Sequence, residues 1–210
     1  MLFAFDNTYV RLPSRFYARQ SPVAVADPRL VKLNQDLAIE LGLDRDRLKS
    51  PDGVAVLAGN TVPDGAAPLA MAYAGHQFGH YVPQLGDGRA IMLGETTNRR
   101  QARWEIQLKG SGQTPYSRDG DGRAVLRSTI REYLCSEAMH HLGIPSTRSL
   151  CMLGSNEEVY REQIETGAML VRMAPSHVRF GSFEVFFYRN QHDALQTLAD
   201  YVIATHYPDL

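Results

Sequence analysis

Lys109 opens a segment that could hold an anion. The stretch Lys109-Gly-Ser-Gly-Gln-Thr-Pro-Tyr-Ser-Arg-Asp-Gly-Asp-Gly-Arg123 has four glycines, one lysine, two arginines and two aspartates in fifteen residues. With almost no apolar surface, it cannot build a core. Its glycines let backbone N–H groups approach a ligand without a Cβ in the way. N–H groups and cations together suit a phosphate. A second Gly-rich turn, Leu85-Gly-Asp-Gly-Arg89, lies upstream. Alone, each segment fits an ordinary β-turn. Neither is a G-x-G-x-x-G or a Walker sequence. Nor is the first an EF-hand, because Arg123 stands where an oxygen ligand is required.

The flanking pattern says how Lys109 is presented. Ala90–Glu95 reads as a strand, residues 96–100 as a turn and Trp104–Lys109 as a second strand. Trp104, Ile106 and Leu108 share one face of the second strand, and Glu105, Gln107 and Lys109 share the other. Lys109 therefore points away from the apolar side. Residues 123–142 read as a long helix with a stripe of Leu126, Ile130, Tyr133, Leu134, Ala138 and Leu142, stopped by Gly143 and Pro145. That helix carries Glu132 and Glu137. Either could pair with Lys109, and periodicity leaves the choice open, although it sets Glu137 nearer the stripe.

The remaining elements follow the same rules. Asp27-Pro28 reads as a helix start, with Leu30, Leu33, Leu37 and Leu41 at helical spacing. Ser50-Pro51 starts a short helix ending near Gly59, and 60–68 is a loop. Residues 148–153 and 168–173 read as strands, and Val178–Tyr188 as β-prone. His192–His206 reads as an amphipathic helix. Its apolar face has no evident partner downstream, so the chain is expected to be part of a longer one. His76 and His80 are four apart, as two metal ligands on one helix face would be. Gly75 and Gly79 argue against that helix, which favours a packed loop.

Arg172 lies in the apolar run 168–173, where a cation needs a partner. A structural salt bridge to Glu184 is one expectation and a phosphate contact another. Arg179, in a following loop, reads by default as a solvated surface charge. Two arginines, a lysine and two Gly-rich turns would together neutralise a triphosphate.

Composition sets the outer limits. The chain has 210 residues with 44% hydrophobic, enough to fill a core. A net charge of −1 gives no global field for nucleic acid or an anionic membrane. The two cysteines, Cys135 and Cys151, form no C-x-x-C pair and read as buried thiols of a reducing, cytoplasmic protein. The element order predicts an α+β lobe with an antiparallel sheet.

Four blocks carry a resemblance. Residues 74–80 (Ala-Gly-His-Gln-Phe-Gly-His), 84–89 (Gln-Leu-Gly-Asp-Gly-Arg), 107–118 and 128–139 resemble the selenoprotein O family. The resemblance implies a protein-kinase-like N-terminal lobe with a Gly-rich hairpin and extra N-terminal helices. It implies an extension over 1–68, the lobe over 69–190 and the start of a C-terminal lobe over 191–210. It also implies transfer of AMP from ATP, bound in a flipped orientation, to Ser, Thr or Tyr hydroxyls of proteins. Gly86, Gly88, Arg89, Lys109, Asp121, Gly122, Arg172 and Arg179 would contact the nucleotide. Glu132 would position Lys109. The family's catalytic aspartate and Mg²⁺ ligands would lie beyond Leu210, so the resemblance implies negligible transfer by these residues alone. UMP transfer with Mn²⁺, phosphoryl transfer on the same fold, and a non-catalytic nucleotide-binding scaffold are the alternatives.

Overall fold

The computed structural model describes residues 2–98 and 100–209. Arg99, within the expected 96–100 turn, and Leu210 lie outside the described residues. Short 3-10 turns at Tyr9–Arg11 and Ser14–Phe16 precede β1 (Tyr17–Arg19). Then come β2 (Arg29–Leu33), α1 (Gln35–Glu40), α2 (Arg45–Lys49) and α3 (Pro51–Leu57). After them run β3 (Leu69–Met71), β4 (Gly75–Gln77), β5 (His80–Val82), β6 (Ala90–Thr97) and β7 (Arg103–Lys109). The last elements are β8 (Ala124–Val125), α4 (Leu126–His141), β9 (Arg148–Tyr160), β10 (Ile164–Ala174), α5 (Phe180–Phe187) and α6 (His192–His206).

One sheet dominates, in the order β1-β3-β6-β7-β10-β9-β2, with β8 beside β10. Its pairings are antiparallel. The fold is therefore α+β with an antiparallel sheet, as expected. Strands β1 and β2, both from the first 68 residues, form its two edges.

The alternation along β7 assigns the two faces. Ile106 and Leu108 enter one core with Leu93, Leu153 and Met173, closed by Leu37, Leu48 and Leu57 from α1–α3. Lys109 sits opposite Leu170, and Gln107 opposite Arg172 and Met92, on the other face. There a second core joins Met71, Met92 and Phe16 to Val185, Phe186 and Leu198 of α5 and α6. At the far side Tyr133 of α4 packs on Met152 and Leu170. The polar side chains of β7 lie between these two apolar areas.

Several expectations are corrected. The helix expected from Asp27-Pro28 is strand β2 followed by α1. Leu33, Leu37 and Leu41 are buried in both patterns, so periodicity could not separate them. What decides is the ladder to β9, with Arg29 opposite Gly154 and Leu33 opposite Cys151. Asn34 then starts α1, its side chain accepting from Leu37 N at 3.1 Å.

Residues 180–187 are helical, not extended. Gly181, Ser182, Val185 and Phe186 are buried at helical spacing, while Phe180 and Phe187 are exposed. The stripe expected on α4 is only partly inward: Tyr133 is buried, whereas Ile130, Leu134 and Leu142 are exposed. Its sheet-facing side is Thr129, Glu132, Tyr133 and Ser136, because polar partners wait there. Cys135 is exposed and only Cys151 is buried. His76 and His80 stand on the β4–β5 ribbon, not on a helix. The turn 86–88 links that ribbon to the main sheet and does not close a hairpin between paired strands. Helix α3 starts at Ser50-Pro51 as read, with Ser50 Oγ accepting from Gly53 N at 3.1 Å. Among the described residues no helix is long and apolar enough to cross a membrane.

Candidate nucleotide site

The two Gly-rich segments meet. Thr114 Oγ1 donates to the Asp87 carbonyl at 2.6 Å, and Ser117 Oγ donates to the Gly88 carbonyl at 2.5 Å. A Cβ at Gly88 would come within 2.8 Å of the Tyr116 carbonyl oxygen, so only glycine permits this approach. Gly122 has φ +70° and lies against the Gly112 backbone, whose N–H donates to the Gly122 carbonyl at 3.2 Å. The upstream turn is fixed to β3, since Asp87 N donates to Met71 O at 3.0 Å and Met71 N to Asp87 Oδ2 at 3.1 Å.

Between these segments and the polar face of β7 lies a cleft of about 420 Å³. All eight residues expected to contact nucleotide line it: Gly86, Gly88, Arg89, Lys109, Asp121, Gly122, Arg172 and Arg179. Arg118, Arg123 and Arg161 add three more cations, against two lining carboxylates, Asp87 and Asp121, with Glu132 and Glu157 pairing Lys109, Arg172 and Arg123 from outside the lining. A cleft so unbalanced attracts anions.

The cations are held in different ways. Lys109 Nζ donates to Glu132 Oε2. Glu132 Oε1 accepts from Arg172 Nη1 at 3.1 Å. Glu132, rather than Glu137, is thus the partner of Lys109. Glu137 instead receives Arg148 through two hydrogen bonds of 2.9 and 2.8 Å. Arg172 pairs with Glu132 and Gln107, not Glu184. Burial would raise the Glu132 carboxyl, but Arg172 and Lys109 outweigh it and hold the group below its ordinary range. Burial lowers the Lys109 ammonium; Glu132 opposes that and Arg172 adds to it.

Arg179 is not a solvated surface charge. Its Nε donates to His177 O at 3.1 Å, and its guanidinium lies 4.0 Å from the centre of the Tyr73 ring. His177 is in turn held by buried Glu105, whose Oε2 accepts from His177 N at 2.6 Å and faces Nδ1 at 2.8 Å. Asp121 pairs with Arg161 at 2.8 Å, and the Arg161 hydrogen bonds hold its pKa down. Arg89 makes no side-chain hydrogen bond or ion pair among the described residues, which leaves its charge available to a ligand.

Sequence reasoning missed Arg161, in the β9–β10 turn, and the Glu105–His177 pair. Glu105 carried a signal, as an acid on the same strand face as Lys109. Nothing near Arg161 marks it. Among the described residues no group of three or more His, Cys, Asp or Glu side chains could hold a metal ion.

Comparison with known proteins gives a consistent picture. A relative from Thiobacillus denitrificans, named protein nucleotidyltransferase YdiU, is 61% identical over 98% of this chain and 42% of its own length. Proteins of the same name from Rhizobium meliloti and Alkalilimnicola ehrlichii are 60% and 59% identical over 99% and 100% of this chain. Each is again covered over 42% of its length, so the chain spans less than half of these relatives. The family described as protein adenylyltransferase SelO matches residues 1–210. With the four sequence blocks at this cleft and its edges, the chain belongs to the protein adenylyltransferase SelO family.

Proposed function

We propose that this chain is the nucleotide-holding part of an enzyme that transfers AMP from ATP to Ser, Thr or Tyr hydroxyls of proteins. The observation that carries the proposal is the shared carboxylate of Glu132, which sets Lys109 and Arg172 side by side in a cation-rich cleft. In this reading residues 69–190 act as a protein-kinase-like N-terminal lobe, 1–68 as its extension and 191–210 as the start of a second lobe. Lys109, Arg172 and Arg179 hold phosphates, and the Gly86–Gly88 turn and Asp121–Gly122 close on the nucleotide from either side.

The donor set suits a triphosphate. Lys109 offers a compact point charge, whereas Arg172 and Arg179 offer planar forks. In the transfer, a protein hydroxyl forms a bond to the α-phosphorus and loses its proton. The bond from that phosphorus to the α–β bridging oxygen breaks, and pyrophosphate leaves. Mg²⁺ or Mn²⁺ would supply charge neutralisation on the phosphates. Its ligands, and the catalytic aspartate, belong in this reading to the further length that the relatives possess.

Labelled nucleotide tests the proposal in a chain of the relatives' full length. ATP labelled at the α-phosphate should label protein, and ATP labelled at the γ-phosphate should not. A γ label on protein would mean phosphoryl transfer instead. UTP with Mn²⁺ is the parallel arm, because phosphate contacts do not read the base.

A further inference from the structure

Gln107 is fully buried between Glu105 and Lys109 on the cleft side of β7. A buried amide is costly unless both of its ends are satisfied. Here the ends do different things. Oε1 accepts from Arg172 Nη2, and Nε2 donates to Asp87 Oδ2 at 3.1 Å. Arginine can only donate, so the oxygen must face Arg172 and the nitrogen must face Asp87.

The register explains why this residue meets both partners. Arg172 is directly opposite Gln107 across the β7–β10 ladder. Asp87 reaches the same point from the Gly-rich turn, which Met71 already fixes to β3. A continuous path of hydrogen bonds and ion pairs results, running Asp87–Gln107–Arg172–Glu132–Lys109.

We propose that Gln107 is a positioning residue of the nucleotide site. It aims the Arg172 guanidinium and ties it to the Gly86–Gly88 turn. This rests on the nucleotide reading above. The residue type is specific. Leucine would leave Arg172 Nη2 and Asp87 without these partners, where Arg172 Nε and Asp87 Oδ1 already lack one. Glutamate would still accept from Arg172, but its second oxygen would face the Asp87 carboxylate. Those two acids would then share one proton taken from solvent.

The test compares the wild-type chain with Gln107→Leu and Gln107→Glu. Two readouts are taken: nitrogen NMR of the Arg172 guanidinium without ligand, and ATP affinity by calorimetry. A guanidinium held at both Nη groups should show separate Nη signals in the wild type. Gln107→Leu should average them and weaken ATP binding about tenfold, the loss expected for one charged hydrogen bond. Gln107→Glu should recover the separate signals and most of the affinity at pH 6, which loss of packing alone would not produce.

Separate signals in a folded Gln107→Leu chain would overturn the proposal. If that variant does not fold, averaged signals in Gln107→Glu would do the same. A wild-type chain that fails to bind ATP would count against the nucleotide reading, while the ligand-free signals would still decide the role of Gln107.

Discussion

Lys109 of β7 and Glu132 of α4 form an ion pair in which the carboxylate is already shared with Arg172, 3.1 Å from its other oxygen. The arrangement is asymmetric. If Lys109 is removed, Glu132 keeps a cation. If Glu132 is removed, Lys109 and Arg172 face each other unpaired. Glu132→Ala should therefore lower the unfolding free energy by ~1–3 kcal/mol, less than the loss of a fully buried pair. Lys109→Ala should cost under ~1 kcal/mol. Both should weaken ATP binding at least tenfold, by roughly the contribution of a charged hydrogen bond. Urea unfolding and calorimetry separate the two effects. Equal destabilisation by both substitutions would contradict the shared-carboxylate account.

Glu137 provides the matching contrast. It clamps Arg148, whose side chain is only 7% exposed, through a two-point contact. It lines no part of the cleft. Glu137→Ala strands a buried guanidinium that retains only a 3.4 Å contact to Glu40. A stability loss of ~2–4 kcal/mol is expected, with ATP affinity changed less than about twofold. A large drop in affinity from this variant, at intact fold, would mean that the two glutamates are not separable in function.

The sequence spoke clearly where one chain segment alone decided the outcome. Alternation on β7 aimed Lys109 correctly, and the 192–206 helix was legible from its amphipathic period. It failed where a distant partner decided. Leu30 and Leu33 fit a helix until β9 offers a ladder. The stripe of α4 looked like its buried side because periodicity counts apolar residues, and it cannot see that Lys109 and Arg172 wait beneath Glu132. The same blindness hid Thr114 and Ser117, whose hydroxyls stitch together two Gly-rich segments that look independent in the chain. Residue chemistry suggested Lys109, Arg172, Arg179 and the two Gly-rich turns for one triphosphate, and motif resemblance completed the eight residues now found around one cleft. Spacing alone could not have collected Gly86, Gly122 and Arg179 into a single place.

Gly122 tests how the Lys109–Arg123 segment closes on itself. Its positive φ of +70° disfavours any side chain, and a Cβ would collide with the Gly112 carbonyl group. The obstacle is backbone, which cannot rotate away. Gly122→Ala should cost ~2–4 kcal/mol, combining left-handed strain with overpacking. The displaced loop should also open the cleft, because Asp121 and Arg123 flank the glycine and Asp121 holds Arg161. Thermal unfolding and ATP titration should both respond. A wild-type melting temperature in Gly122→Ala would show that Gly112 and Gly122 are not in contact in solution.

The buried pair behind Arg179 sets a pH dependence with a defined sign. Burial raises the Glu105 carboxyl to about 8 and lowers the His177 imidazole to about 3. From its ordinary value of 4.5 up to about 8, Glu105 keeps a proton in the folded chain that the unfolded chain has released. Its contribution to stability therefore falls as pH rises through that window. His177 acts in the opposite sense between about 3 and its ordinary value of 6.5, where the unfolded chain binds the extra proton and stability rises with pH. The two slopes oppose each other until His177 is spent near 6.5. Above that only the Glu105 slope remains, and the chain should lose ~1–2 kcal/mol of stability on going from pH 6.5 to 8. Glu105→Gln mimics the protonated acid, can still accept from His177 N, and cannot ionise. Its urea midpoint should stay flat over the same range. Because His177 O receives Arg179 Nε, wild-type ATP affinity should weaken over that interval as well, and the variant's should not. Parallel pH slopes in the two chains would show that Glu105 does not hold this proton.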